Sequence, residues 1–214
     1  MTYINTTTHD TPHTPHTPNT SLAHMPRAPR LALAMLALVS LQVSAHPMMA
    51  SNAAFETGFL HPWTGLDHVM AMLLVGVWCA LTYKRAWALP MLFSISLAIG
   101  LVATSTSLQA LYIEPMVAGS VLMLGMLVRG TNCLPSRAGL ALLSVFGLLH
   151  GAAHGIELAP ANHLPVLLGT LLGSASLQLV GYWLGRSLRG HHTLQSALGW
   201  SGALVGAALL GAMA

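Results

Sequence analysis

The stretch His61-Pro62-Trp63-Thr64-Gly65-Leu66-Asp67-His68, HPWTGLDH, stands directly ahead of the apolar run VMAMLLVGVWCALTY at 69–83. Two imidazoles and a carboxylate at the head of such a run are expensive, and the rest of the chain shows how expensive. Its 214 residues are 54% apolar and only 6% charged, with eight Lys/Arg against five Asp/Glu, and the mean hydropathy is +0.66. A soluble domain carries about 25% charged residues. The composition therefore predicts an all-α protein, a polytopic membrane helix bundle. The sequence pI of about 9.2 rests on a handful of basic residues that flank apolar segments, and it gives no case for nucleic-acid binding. Cys79 and Cys133 lie in different segments without CxxC spacing. They read as small apolar filler, not as a disulfide or thiolate metal site.

Working outward, residues 1–24 form a Thr/Pro/His tract (TPHTPHTPNT at its centre) with no apolar period. It reads as a disordered leader, its histidines included. From Met25 the order changes: Arg27 and Arg30, then LALAMLALVSL at 31–41, then the small residues of VSA ending at Ala45. That is the pattern of a secretory signal peptide over 25–45, and the apolar run is short for a span, which needs about 20 residues. The remaining 46–214 is expected to be one transmembrane permease domain. About six transmembrane helices are predicted, at 61–83, 86–104, 110–128, 138–156, 163–185 and 195–213, because backbone polar groups in hydrocarbon must pair within their own segment. Glycines recur at four-residue spacing in Gly147/Gly151/Gly155, Gly169/Gly173, Gly181/Gly185 and Gly202/Gly206, the spacing that lets helices approach closely.

After the signal, the basic residues are Lys84/Arg85, Arg129/Arg137 and Arg186/Arg189, in alternate loops. The positive-inside rule places those loops in the cytoplasm and the mature N- and C-termini outside, in a multi-pass protein of the cytoplasmic (inner) membrane. HPWTGLDH then lies at the outer end of the first span. As one continuous helix it would start near Pro62 and put Asp67 and His68 about 10 Å deeper than His61. The fourth span runs the other way and ends FGLLHGAAHGIE, with His150, His154 and Glu157 at i, i+4 and i+7, one stripe of a helix. Asp67/His68 can thus lie level with His150/His154, and His61 with Glu157. The depths follow from topology; contact between the two helices is a hypothesis.

Any one of these residues, alone, reads more blandly as a packing or interfacial polar group. Together they point to an ion path, because ionisable groups inside a membrane cost about 2.5–3.5 kcal/mol each on insertion scales. Imidazole with carboxylate suits a divalent first-row metal such as Ni²⁺, Co²⁺ or Zn²⁺. Glu56 and Glu114 read as solvated end residues, His163 as a loop residue, His191/His192 as positive flank, and Met70/Met72 as core packing. His46 with Met48/Met49 is either an outer capture point or a loose tail.

The same residues resemble the HupE/UreJ family. HPWTGLDH is similar to its His-x5-Asp-His signature, and HGAAHGIE to its second motif, HGxxHGxE; AHP directly after the signal also fits. The likeness covers about residues 31–214. Leu149 stands where an aromatic is expected before His150, with Phe146 one turn earlier. The resemblance implies secondary uptake of nickel, with cobalt as a variant, for hydrogenase or urease maturation. It implies His61, Asp67, His68, His150, His154 and Glu157 as the metal path, the ion being substrate and no cofactor resident. Metallochaperones on the cytoplasmic side would be partners beside the ion and the bilayer. Two alternatives stay open: an intramembrane metal-dependent hydrolase, for which Ser144 is the nearest nucleophile, and a membrane metal sensor or chaperone. The inner halves of the first and fourth spans are apolar and show no exit.

Overall fold

The computed structural model describes residues 50–82, 88–103, 110–130, 134, 136–158 and 164–213. The expected leader and signal peptide, and His46, Met48, Met49, Lys84, Arg85, Cys133 and His163, lie outside the described residues. All described elements are α-helices: α1 (Ala50–Thr64), α2 (Leu66–Thr82), α3 (Ala88–Ala103), α4 (Ala110–Arg129), α5 (Ser136–Glu157), α6 (Leu164–Ser187) and α7 (His192–Ala212). The bundle is all-helical, as the composition predicts, and the expected segments from 86 onward coincide with α3 to α7 within a few residues.

The first expected segment differs. The chain from 61 to 83 is not one helix: α1 and α2 meet at Gly65 with a bend of 80°. Pro62 lies inside α1, where it removes an amide donor from the last turn, and is not the first helical turn of a span. The Thr64 hydroxyl donates to the His61 carbonyl (2.8 Å), closing that end. The helix restarts with the Val69 N–H donating to Gly65 O (2.9 Å). Ser51, Asn52, Glu56 and Thr57 interrupt the apolar period of α1, so its sequence reads as a polar tail.

Four helical stretches are long and apolar enough to cross a membrane: Tyr112–Arg129, Arg137–Glu157, Leu164–Ser187 and His192–Ala212. The bent pair α1–α2 makes five if it counts as one span, and Leu89–Ala103 is a shorter apolar helix. At about 1.5 Å per residue, the 16 residues of α3 reach roughly 24 Å, less than the roughly 30 Å of hydrocarbon. By length, then, the described residues supply up to five spans and a shorter sixth helix. Outward-facing side chains are apolar, including Ile95, Ile99, Val102, Leu172, Leu179 and Leu204; such continuous apolar exposure marks a lipid-facing surface. This is a multi-pass membrane protein.

Close packing is achieved through the glycines. α3 lies along α5, α4 along α7, and α6 along both α1 and α2. A Cβ at Gly151 would run into the Leu97 carbonyl, one at Gly173 into the Phe59 carbonyl, one at Gly181 into the Leu73 carbonyl, and one at Gly206 into the Leu122 backbone. Trp78, Met72, Phe93, Leu97, Leu124, Leu143 and Leu177 fill the centre. Cys79 is buried and free, which fits apolar filler.

The two ends of the bundle differ in charge. At one end the Arg189 guanidinium donates to the Ala80 carbonyl near the C-terminus of α2, and Arg129 lies 4.7 Å over the Trp200 ring. At the other end lie His61, Asp67 and Glu157.

Gly151→Val is expected to lower the melting temperature of the detergent-solubilised protein by several degrees, since overpacking costs about 1–3 kcal/mol. Gly119→Ala, where an added Cβ meets nothing within 4 Å, should leave it unchanged. Equal melting temperatures for both variants would contradict the packing described.

Candidate metal site

The corner at Gly65 aims the first motif. A Cβ there would lie 2.8 Å from Asp67 Oδ1 and 2.9 Å from His68 Nδ1, so only glycine leaves these two groups their places. Asp67 sits in the first turn of α2, where a carboxylate complements the helix dipole. Its Oδ1 accepts the backbone N–H of His68 and meets the His68 ring at Nδ1, each at 2.8 Å. Nδ1 thus carries the hydrogen, and Nε2 is left as a lone-pair donor. On α5, His150 Nδ1 donates to the Phe146 carbonyl at 2.9 Å, with the same result. In both, a hydrogen bond from Nδ1 fixes the tautomer and the ring's orientation, as in ligating imidazoles.

The α1–α2 unit and α5 bring these rings together. His68 lies 4.3 Å from His154 and 5.6 Å from His150, centroid to centroid, while His61 lies 5.1 Å from His154 and 6.2 Å from His68. His61 Nε2 and Glu157 Oε2 are 2.8 Å apart, and Glu157 Oε2 is 3.9 Å from His154 Nδ1. One ligand atom each from His61, His154 and Glu157 can be drawn within 4.8 Å of the others. All six residues expected from the sequence therefore form one contiguous cluster. His61 enters it from α1 rather than from the helix of Asp67 and His68.

The burial is deep. His150 and His154 have no exposed surface, and His68 has 4%. His68 Nε2, His150 Nε2 and both ring nitrogens of His154 are buried without a hydrogen-bond partner. A buried polar atom left unpaired costs about 1–3 kcal/mol, and a cation shared among these nitrogens would offset that cost. With the imidazoles neutral, Asp67 and Glu157 contribute two negative charges, matching a divalent ion. A cleft of about 170 Å³, lined by His61, Thr64, Gly65, Asp67, His68 and Glu157, opens the cluster to the bundle's end.

Three features escaped the sequence reading. The aromatic wall beside His150 comes from α3: Phe93 lies 5.9 Å away, centroid to centroid. Phe146 serves through its carbonyl. On α6, Thr170, Ser174 and Gln178 make a buried polar stripe; their i, i+4, i+8 spacing was the available signal. Glu56 and Glu114 are exposed, as are His191 and His192, so all four stand outside the cluster.

The profile of the HupE / UreJ protein family matches residues 33–209. A curated relative, Protein HupE of Rhizobium leguminosarum bv. viciae, is 34% identical over 157 residues, covering 72% of this chain and 82% of its own. No solved structure matches significantly.

Because Asp67 holds the His68 ring and His68 lies against His154, Asp67→Ala and His154→Ala should each weaken nickel binding to the purified protein by about 10–100-fold. The double variant should lose much less than the product of the two, as contacting residues couple by about 0.5–3 kcal/mol. Calorimetric titration measures this; independent, multiplying losses would mean two separate sites.

Proposed function

This chain belongs to the HupE / UreJ family, and on that premise we propose that it is a secondary permease taking up divalent nickel across the cytoplasmic membrane. The observation that carries this reading is the set of four buried, unpartnered ring nitrogens beside two carboxylates. Neutral imidazoles with carboxylate suit Ni²⁺, Co²⁺ or Zn²⁺ and do not suit Mg²⁺ or Ca²⁺, which take oxygen shells. The choice of nickel, with cobalt as the nearest competitor, follows the family resemblance, as does delivery to hydrogenase or urease maturation through cytoplasmic metallochaperones.

The basic residues put the cluster at the extracytoplasmic end, with the mature N- and C-termini outside. The ion enters at His61 and Glu157, whose mutual contact opens as both turn to it, and then meets His154, His68 and His150. Because Nδ1 of His68 and of His150 is occupied by Asp67 and by the Phe146 carbonyl, each ring keeps Nε2 for the ion, while His61, His154 and Glu157 hold the ligand atoms that already lie within 4.8 Å of one another. The sequence shows no nucleotide-binding motif, and a gradient-driven or facilitated cycle belongs to this proposal. A hydrolase reading gains nothing from Ser144, whose hydroxyl donates to the Leu140 carbonyl at 3.1 Å.

The test is radiolabelled nickel uptake by proteoliposomes with an imposed gradient. Wild-type protein should accumulate nickel, and His68→Ala, inserted to the same level, should lose about 10–100-fold. Protonated imidazole does not bind metal. Uptake should therefore fall as outer pH is lowered, because protons compete with the ion for the imidazoles. Binding without inward movement under any gradient would instead support a sensor or chaperone. Reporter fusions should place 84–86 and 129–137 in the cytoplasm and 157–162 outside; the reverse would put the cluster on the wrong face for uptake.

A further inference from the structure

The histidine cluster ends where the inner halves of α2 and α5 become apolar, so the cation needs a next foothold. α6 supplies the candidate nearest the cluster, with two unpaired oxygens one turn apart. Its segment from Gly173 to Gly181 runs alongside the Gly65 corner, with Gly173 against Phe59 and Gly181 against Leu73. Ser174 and Gln178 lie between those two contacts, each with 1% of its surface exposed. The Gln178 amide nitrogen is spoken for: Nε2 donates to Met72 Sδ at 3.7 Å and to Ser94 Oγ at 3.3 Å. Its carbonyl Oε1 and the Ser174 hydroxyl oxygen are buried without partners. Thr170, one turn further out, is satisfied by donating to the Val166 carbonyl at 3.0 Å.

A purely structural glutamine, tying α6 to α2 and α3, needs only its NH₂ group. Leaving the carbonyl oxygen buried and unpaired costs about 1–3 kcal/mol, a cost that the amide contacts to Met72 and Ser94 do not offset at the oxygen itself. A carbonyl oxygen whose orientation is fixed by its own amide nitrogen, with a hydroxyl one turn away on the same face, is a cation ligand set. Met72 follows His68 by one helical turn, so Gln178 meets α2 about 6 Å further along the bundle than the last imidazole of that helix. The ligands are neutral, as suits a transit point: conduction needs sites that hold an ion well enough to take it and weakly enough to release it. Gln178 also borders an apolar groove of about 600 Å³ between α3 and α6 that opens outward past Ile95, Leu172 and Leu179.

We propose that Gln178, with Ser174, forms a second, weaker divalent-cation site one turn inward of the histidine cluster, and that the ion passes through it on the way to the cytoplasm. This rests on the nickel-transport reading above.

The test compares wild type, Gln178→Leu and Gln178→His, each reconstituted for nickel uptake and titrated with nickel in detergent. Gln178→Leu should keep nickel affinity at the cluster within about threefold while uptake falls about 10–100-fold, the range seen when a residue supporting a metal site is lost. Gln178→His, which places an imidazole at the same point, should bind a second equivalent of nickel and turn over more slowly. Wild-type uptake in Gln178→Leu would overturn the proposal. So would loss of equilibrium binding in step with uptake, since Gln178 would then merely support the cluster. If Gln178→Leu fails to fold, the histidine variant decides alone, and a single bound equivalent there overturns the site. Failure of the transport reading has a different signature: wild-type liposomes that bind nickel and move none, in which case the inward site falls with it.

Discussion

The membrane interior offers no water to a polar atom, so every buried donor or acceptor must find its partner within the protein or in an ion. That constraint organises this molecule. Backbone groups meet it by forming helices throughout the described residues. Two histidines meet half of it, each spending Nδ1 on a fixed acceptor: the Asp67 carboxylate for His68 and the Phe146 carbonyl for His150. The other half is left unmet in the histidine cluster, where Nε2 of both rings and both nitrogens of His154 are buried without a hydrogen bond. Four unpaired nitrogens gathered in one cluster, beside two carboxylates, fit an ion that is not part of the chain.

Geometry makes that convergence possible. A straight helix through HPWTGLDH would have strung His61 and His68 along one face at different depths. The 80° bend at Gly65 instead folds α1 back, so His61 reaches Glu157 on α5 while His68 reaches His150 and His154. The glycine contacts of α6 with Phe59 and Leu73 hold both arms of the bend against one straight helix. Gly65 is needed for a second reason: its missing Cβ leaves Asp67 Oδ1 and His68 Nδ1 their shared space.

Much of this was legible in the sequence. Hydropathy located α3 to α7, and glycine spacing named the residues at the tight helix contacts, because both are one-dimensional signals. Spacing also named the six residues of the cluster, since charged and imidazole side chains stand out in a chain with 6% charge. The corner was not legible. Pro62 ahead of an apolar run fits a helix start as well as a helix end, and the polar residues of α1 concealed a helix there. The meeting of the first motif with the second depends on lateral packing, which no single-chain period encodes. Gln178 went unnoticed because an uncharged amide in an apolar helix is unremarkable until its partners, and its lack of one, are seen in three dimensions. Against the expected six spans, length and composition give up to five among the described residues, because α3, at 16 residues, is apolar but short.

The central claim is that His68 and His150 present Nε2 to a divalent metal while their second nitrogens stay fixed by the protein. X-ray absorption at the nickel edge on loaded protein in lipid tests this most directly. The expected spectrum shows two or more imidazoles in the first shell, with metal–nitrogen distances of about 2.0–2.1 Å, those of imidazole-bound zinc, and loses imidazole scattering in His68→Ala. A shell of oxygen alone, unchanged by that substitution, would contradict the account.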